Sequence, residues 1–272
     1  MELTRTSIYN YLPNIINGPI IDLSECGFIH PWALVLITLL LVDRHNNNDK
    51  KLIFPNDTDA LSYLKRVHFG EVLEKLNYLE ESYFLKNIEI NEIDNLNLQE
   101  LTHCSFRDEF NARLERFVKI FINFGLSENQ ARLVVALIGE LGNNVFDHNA
   151  LNWPTDISGC FLTAQNYPKK NFIEFAIGDP GIGFLGSLKA NYPGLNDDLS
   201  AIKQGLAGNT GRINERRGNG LQFVQRWTLT NFRGKVSIHS GEGLVIIDQD
   251  GITEFKVNRI LGTIVQIMLY YK

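Results

Sequence analysis

The chain has 272 residues, enough for one large domain or two of ordinary size, and its 44% hydrophobic content supplies a sizeable core. Its net charge of −5 leaves no basic excess to neutralise a phosphate backbone, so nucleic acid is not an expected partner. In chain order, the apolar run Pro19 to Leu23 predicts a buried strand. Pro31 to Asp43 predicts a helix apolar nearly all round; its core from Trp32 to Val42 is far shorter than the roughly 20 residues that span a bilayer. Lys51 to Phe54 predicts a strand, then Asp57 to Val67 and Gly70 to Leu76 two helical segments. Strand, helix, strand, helix points to a small α/β domain.

Residues Asn87 to Leu101 are acidic, Asn-rich and weakly periodic, and a domain boundary is placed there, dividing the chain into 1–100 and 101–272. Asp108 to Phe124 carries apolar residues at helical spacing. Ser127 with Gln130 three residues on predicts a capping box opening a helix that runs to about His148. Ser158 to Ala164 and Asn171 to Gly178 read as strands, and Phe184 to Arg217 as a long Gly- and Asn-bearing stretch. A helix over Leu221 to Thr228 follows, then strands over Lys235 to Ser240, Leu244 to Asp248 and Thr263 to Tyr270. Cys26, Cys104 and Cys160 are odd in number and widely spaced, and the N-terminus lacks a signal-peptide pattern. Reduced thiols in a soluble, cytoplasmic protein are the expectation.

Three segments can carry chemistry. The Ser127–His148 helix sets Glu140, Asn144 and His148 at successive i+4 steps on one face. A carboxylate can accept a proton from water or a hydroxyl, and a carboxamide oxygen can bind Mg²⁺. The run Asp179-Pro-Gly181-Ile-Gly183 ends a strand in a carboxylate able to accept a hydrogen bond from an amino group, followed by glycines that admit a flat ring. Arg216-Arg217-Gly218-Asn-Gly220-Leu221 opens a helix, whose amides favour phosphate. Each has a plainer alternative: a solvated helix end, an ordinary turn, a capping loop.

The order of these segments, with Gly262-Thr263 opening the final strand, resembles the Bergerat-fold ATP-binding domain of DNA gyrase B, Hsp90, histidine kinases and MutL over residues 106–272. ELGNNVFDH looks most like the anti-sigma-factor serine kinases, while Asp147 also fits the N-x-x-D form of the gyrase branch. The resemblance implies an α/β sandwich binding ATP and Mg²⁺. It implies Glu140 as general base, Asn144 as Mg²⁺ ligand and Asp179 on adenine N6, with Gly181 and Gly183 shaping the pocket. Gly218 and Gly220 would cradle phosphates beside Leu221, with Arg216 and Arg217 adding charge, and Thr263 would reach an adenine-side water network. Residues 184–217 would form a lid, and His148 a structural support.

IIDLSECGFIHPWALVLITLL similarly resembles the strand-turn-helix of STAS domains, over about residues 1–80. It departs where that family carries a phosphorylatable serine, since this chain has His30-Pro31-Trp32-Ala33. An ATP-binding regulatory protein is expected, with slow ATPase or serine/threonine kinase activity and a regulatory protein partner at the N-terminal domain. A homodimer is compatible with that reading, and a nucleotide-gated interaction module is the alternative.

Overall fold

Trp32 to Val42 has no polar face except Thr38, whose hydroxyl returns to Leu34 O at 2.8 Å. Such a helix must be covered on all sides. It is: every residue from Pro31 to Val42 is buried. This computed structural model describes residues 1–89, 96–149, 153–209 and 219–271. Among them the chain is a mixed α/β protein with ten α-helices and a seven-stranded antiparallel sheet.

The first part begins with β1 (Glu2–Leu3), α1 (Ile8–Ile15), β2 (Ile16–Asn17), β3 (Ile20–Asp22) and β4 (Phe28–Ile29). Then come α2 (Pro31–Arg44), β5 (Lys51–Ile53), α3 (Thr58–Arg66), α4 (Phe69–Lys75) and α5 (Leu79–Asn87). β3 lies between antiparallel β2 and parallel β5, and β1 pairs with β4. Asp57 caps α3, its side chain accepting from Ala60 N at 2.9 Å.

The second part comprises β6 (Leu98–Cys104), α6 (Arg107–Asn123), α7 (Glu128–His148), β7 (Cys160–Tyr167) and β8 (Phe172–Asp179). It continues with α8 (Gly183–Leu188), α9 (Asp198–Leu206), α10 (Gly220–Phe232), β9 (Lys235–Ser240), β10 (Gly243–Asp248), β11 (Gly251–Lys256) and β12 (Thr263–Tyr270). The sheet order is β11-β10-β9-β12-β8-β7-β6. The expected boundary after residue 100 falls inside β6.

Strand alternation sends the two faces of this sheet to different cores. Ile173, Phe175 and Ile177 of β8 join a core with α6, α7 and α10. Ala176 joins the core built round α2. With both faces covered, β8 is buried from end to end. At Gly178 a Cβ would come within 2.6 Å of Val35 Cγ1, so the missing side chain lets α2 lie close against the strand.

One polar cluster sits between α2 and the sheet. The buried Glu174 carboxylate accepts from Trp32 N at 3.0 Å and Gln266 Nε2 at 2.7 Å, and meets His30 Nδ1 at 2.9 Å. Glu2 meets the other ring nitrogen at 3.0 Å, and Tyr167 OH also reaches Nδ1. Burial alone would lower the His30 pKa, but hydrogen bonds and charge from Glu174 and Glu2 outweigh it and raise it. The segment aligned with the STAS serine thus lies inside the molecule, at the start of α2. All three cysteines are buried free thiols, and Cys104 stands opposite Cys160 between β6 and β7. Among the described residues no helix is long and apolar enough to cross a membrane.

Candidate functional site

The Ser127 hydroxyl accepts from Gln130 N at 3.3 Å while Gln130 Oε1 accepts from Ser127 N at 3.0 Å, completing the expected capping box. From there α7 lays Val134, Ile138, Leu141 and Val145 on the sheet. The same periodicity turns Glu140, Asn144, Asp147 and His148 toward a cleft of about 570 Å³. Asp179, Gly183, Gly220, Leu221 and Thr263 line that cleft too, so residues as far apart as Glu140 and Thr263 meet in one place.

Asp179 ends β8 and is only 5% exposed. Its Oδ1 accepts from Gly181 N at 3.0 Å and Asn149 Nδ2 at 2.9 Å. Among the described residues no hydrogen bond reaches its Oδ2, which remains available to the cleft. Burial pushes the carboxyl up to about 7, against the opposing pull of those two N–H donors.

Asn149 escaped the sequence reading. It is buried just past the last residue of α7, where its Nδ2 also donates to Val145 O and its Oδ1 accepts from Ile182 N, both at 2.9 Å. An Asn after a helix end is a familiar stop signal, but Asp179 and Ile182 lie 30 and 33 residues away and leave no local mark. Gly181 serves this contact rather than the cleft wall, because a Cβ there would fall on the Asn149 carboxamide. Gly183 has φ +68°, a backbone that glycine adopts without strain.

α10 begins at Gly220 directly beside α7. A Cβ on Gly220 would stand 2.7 Å from Glu140 Oε2, and Asn144 lies next to it. The carboxylate thus sits at the positive end of a 13-residue helix. Arg216, Arg217 and Gly218, expected at the phosphates, lie outside the described residues, as does Arg212. Among the described residues Arg107 is the arginine or lysine on the cleft wall, paired with Asp147 between α6 and α7. Asp147 is therefore held by a neighbouring helix as well as lining the cleft.

Within the expected lid, the described part forms α8 and α9. His148 Nδ1 and Ser187 Oγ share a hydrogen bond at 2.9 Å, tying α7 to α8. Phe184 packs edge-on over Gly205 of α9, and Ile202 joins the core below. Asp197 caps α9 through Ser200 N at 2.8 Å, and Asp198 accepts from Glu242 N at 2.9 Å. These helices are seated on β9 to β11. Thr263 donates to Ser240 Oγ at 3.1 Å; that buried hydroxyl also accepts from Phe184 N and donates to Gly262 O. Ser240 was missed because it closes a strand otherwise indistinguishable from its neighbours.

Among the described residues no three His, Cys, Asp or Glu side chains are grouped to hold a metal by themselves. No protein-family model matches the chain, and no curated protein matches it.

Proposed function

We propose that the cleft binds ATP with Mg²⁺ and that the protein is an ATP-dependent regulator of the Bergerat kind, with slow ATP hydrolysis or serine/threonine phosphoryl transfer as its chemistry. The carrying observation is the meeting of Glu140, Asn144, Asp179 and the α10 N-terminus around one cleft. Asp179 suits an exocyclic amino group, because it lines the cleft and its Oδ1 is already engaged, leaving Oδ2 to accept. The α10 amides suit a phosphate. Glu140 beside them is negative, so a triphosphate there requires a cation between the two charges. Asn144 would offer a neutral oxygen to Mg²⁺, whose charge would offset that of the phosphates.

In turnover, Glu140 takes the proton of an attacking water or serine hydroxyl as that oxygen bonds to the γ-phosphorus. The bond to the β,γ-bridging oxygen breaks, and ADP leaves with the electron pair. The N-terminal part, with its STAS-like sequence pattern, acts as scaffold and as the docking surface for a regulatory protein. ATP binding and turnover with Mg²⁺ should be measured for the wild type, Glu140→Ala and Asp179→Ala. Wild type should bind and turn over slowly, Glu140→Ala should bind without turnover, and Asp179→Ala should lose binding. Absence of wild-type binding overturns the proposal.

The His148–Ser187 tie favours a second reading, a nucleotide-gated interaction module in which α8 responds to occupancy and hydrolysis is incidental. Under it, partner binding survives Glu140→Ala and is lost in Asp179→Ala.

A further inference from the structure

We propose that the free edge of β11 pairs with β11 of a second copy of this chain, joining two seven-stranded sheets into one continuous antiparallel sheet. β11 closes one end of the sheet, and all six of its residues are exposed. Ile252 and Phe255 are 55% and 44% exposed, unusual for large apolar side chains on a strand with no partner strand on its outer side among the described residues.

The backbone phase of this edge follows from one bond. Val257 N donates to Glu242 O at 2.9 Å, continuing the register in which Gly243 faces Lys256. Hydrogen-bonded and non-bonded pairs alternate in an antiparallel ladder. Gly251, Thr253 and Phe255 therefore turn their N–H and C=O groups toward β10. Ile252, Glu254 and Lys256 turn theirs outward, with no backbone partner among the described residues.

Two devices that usually blunt such an edge are missing from β11. It contains no proline, and its six pairs with β10 run without a bulge. β6, at the opposite edge, has a register shift between Gln99 and Thr102.

The edge is complementary to itself in one register. A two-fold axis at Phe255 makes Phe255 and its copy a closely spaced, non-hydrogen-bonded pair. It sets Glu254 opposite Lys256 of the second copy on both sides of the axis, as bonded pairs between outward-facing residues. An axis at Glu254 or at Lys256 would instead oppose like charges. Within the chain Glu254 already meets Lys203 at 3.2 Å, and Lys256 meets Glu242 at 3.0 Å. Pairing the copies links these into a row of alternating sign across the seam. That complementarity favours a second copy over a foreign strand, and it is independent of what the cleft binds.

The test is sedimentation velocity of the full chain over a range of concentrations, with thermal melts to confirm folding. Wild type should dimerise. Glu254→Lys and Lys256→Glu should each weaken the dimer by about tenfold or more, since each opposes like charges twice. The double variant should restore it. Glu254→Pro, which removes an outward N–H together with the carboxylate and spares the hydrogen bonds to β10, should also weaken it. A monomeric wild type, a dimer indifferent to both single variants, or a double variant without rescue overturns the proposal.

Discussion

Asn149 Nδ2 stands 2.9 Å from Asp179 Oδ1 and joins the end of α7 to the end of β8. The same side chain holds Val145 O and Ile182 N, so one carboxamide fixes helix, strand and turn together. Asn149→Ala takes the acceptor from the part-buried Ile182 N–H and one of two donors from Asp179 Oδ1, at a cost of about 1–3 kcal/mol. Urea unfolding should show that loss. Asn149→Asp should be worse above neutral pH, where a second carboxylate faces Asp179. A fully stable Asn149→Ala protein would contradict this role.

Asp179 makes stability depend on pH in an unusual direction. Its folded pKa of about 7 lies above the ordinary value of 3.8, so the folded state is favoured while the carboxyl is protonated. That contribution is complete below the unfolded pKa and is lost as pH rises through about 7. Asp179→Asn keeps the oxygen that Gly181 and Asn149 bond, yet carries no charge. It should raise stability near pH 8, by at most about 4 kcal/mol, and do little near pH 4. ATP binding should run the other way. Protonation of Oδ2 replaces an acceptor with a donor, so wild-type affinity should fall as pH drops below about 7. Calorimetry across this range checks both trends.

Gly220 separates activity from stability. Alanine usually favours a helix over glycine by up to about 1 kcal/mol. Here its methyl would meet Glu140 Oε2 at 2.7 Å and turn the carboxylate aside. Gly220→Ala should therefore hold or raise Tm while turnover drops. Unchanged turnover would mean that the position of Glu140 beside α10 is not needed.

Glu174 anchors the cluster under α2. Glu174→Ala strips an acceptor from His30, Trp32 N–H and Gln266, and breaking such a buried ionic contact typically costs about 3–5 kcal/mol. The raised His30 pKa adds a pH signature. Its contribution is complete below the unfolded value near 6.5 and fades as pH climbs through the higher folded value. Glu174→Gln should thus lose more stability near pH 6 than near pH 8, with Glu2 keeping part of the effect. Equal losses at both pH values would remove His30 from the account.

Local chemistry was legible where it decided the outcome. The Ser127 capping box, the end of α7 at His148, and the limits of β9 and β12 follow from side-chain spacing and alternation. α1 was not legible because Pro13 lies inside it. β6 was hidden in an acidic, Asn-rich segment; its second half is buried by contacts that come from elsewhere in the chain. β11 has no buried face at all, and only its register with β10 makes it a strand. The cleft residues on α7 could be read from a helical period. Asn149 and Ser240 could not, because their roles rest on partners far away in sequence.

Gly178 and Asp179 are consecutive in β8, the first against Val35 of α2 and the second in the cleft. At this point the wall between the N-terminal part and the cleft is a single peptide unit thick. A displacement of α2 toward the sheet presses the Val35 and Leu39 side chains directly on the Gly178 backbone, one residue from Asp179. Cutting the chain at its apparent midpoint would therefore leave the cleft's own lining in place but strip the cover from the far face of the strand that carries Asp179.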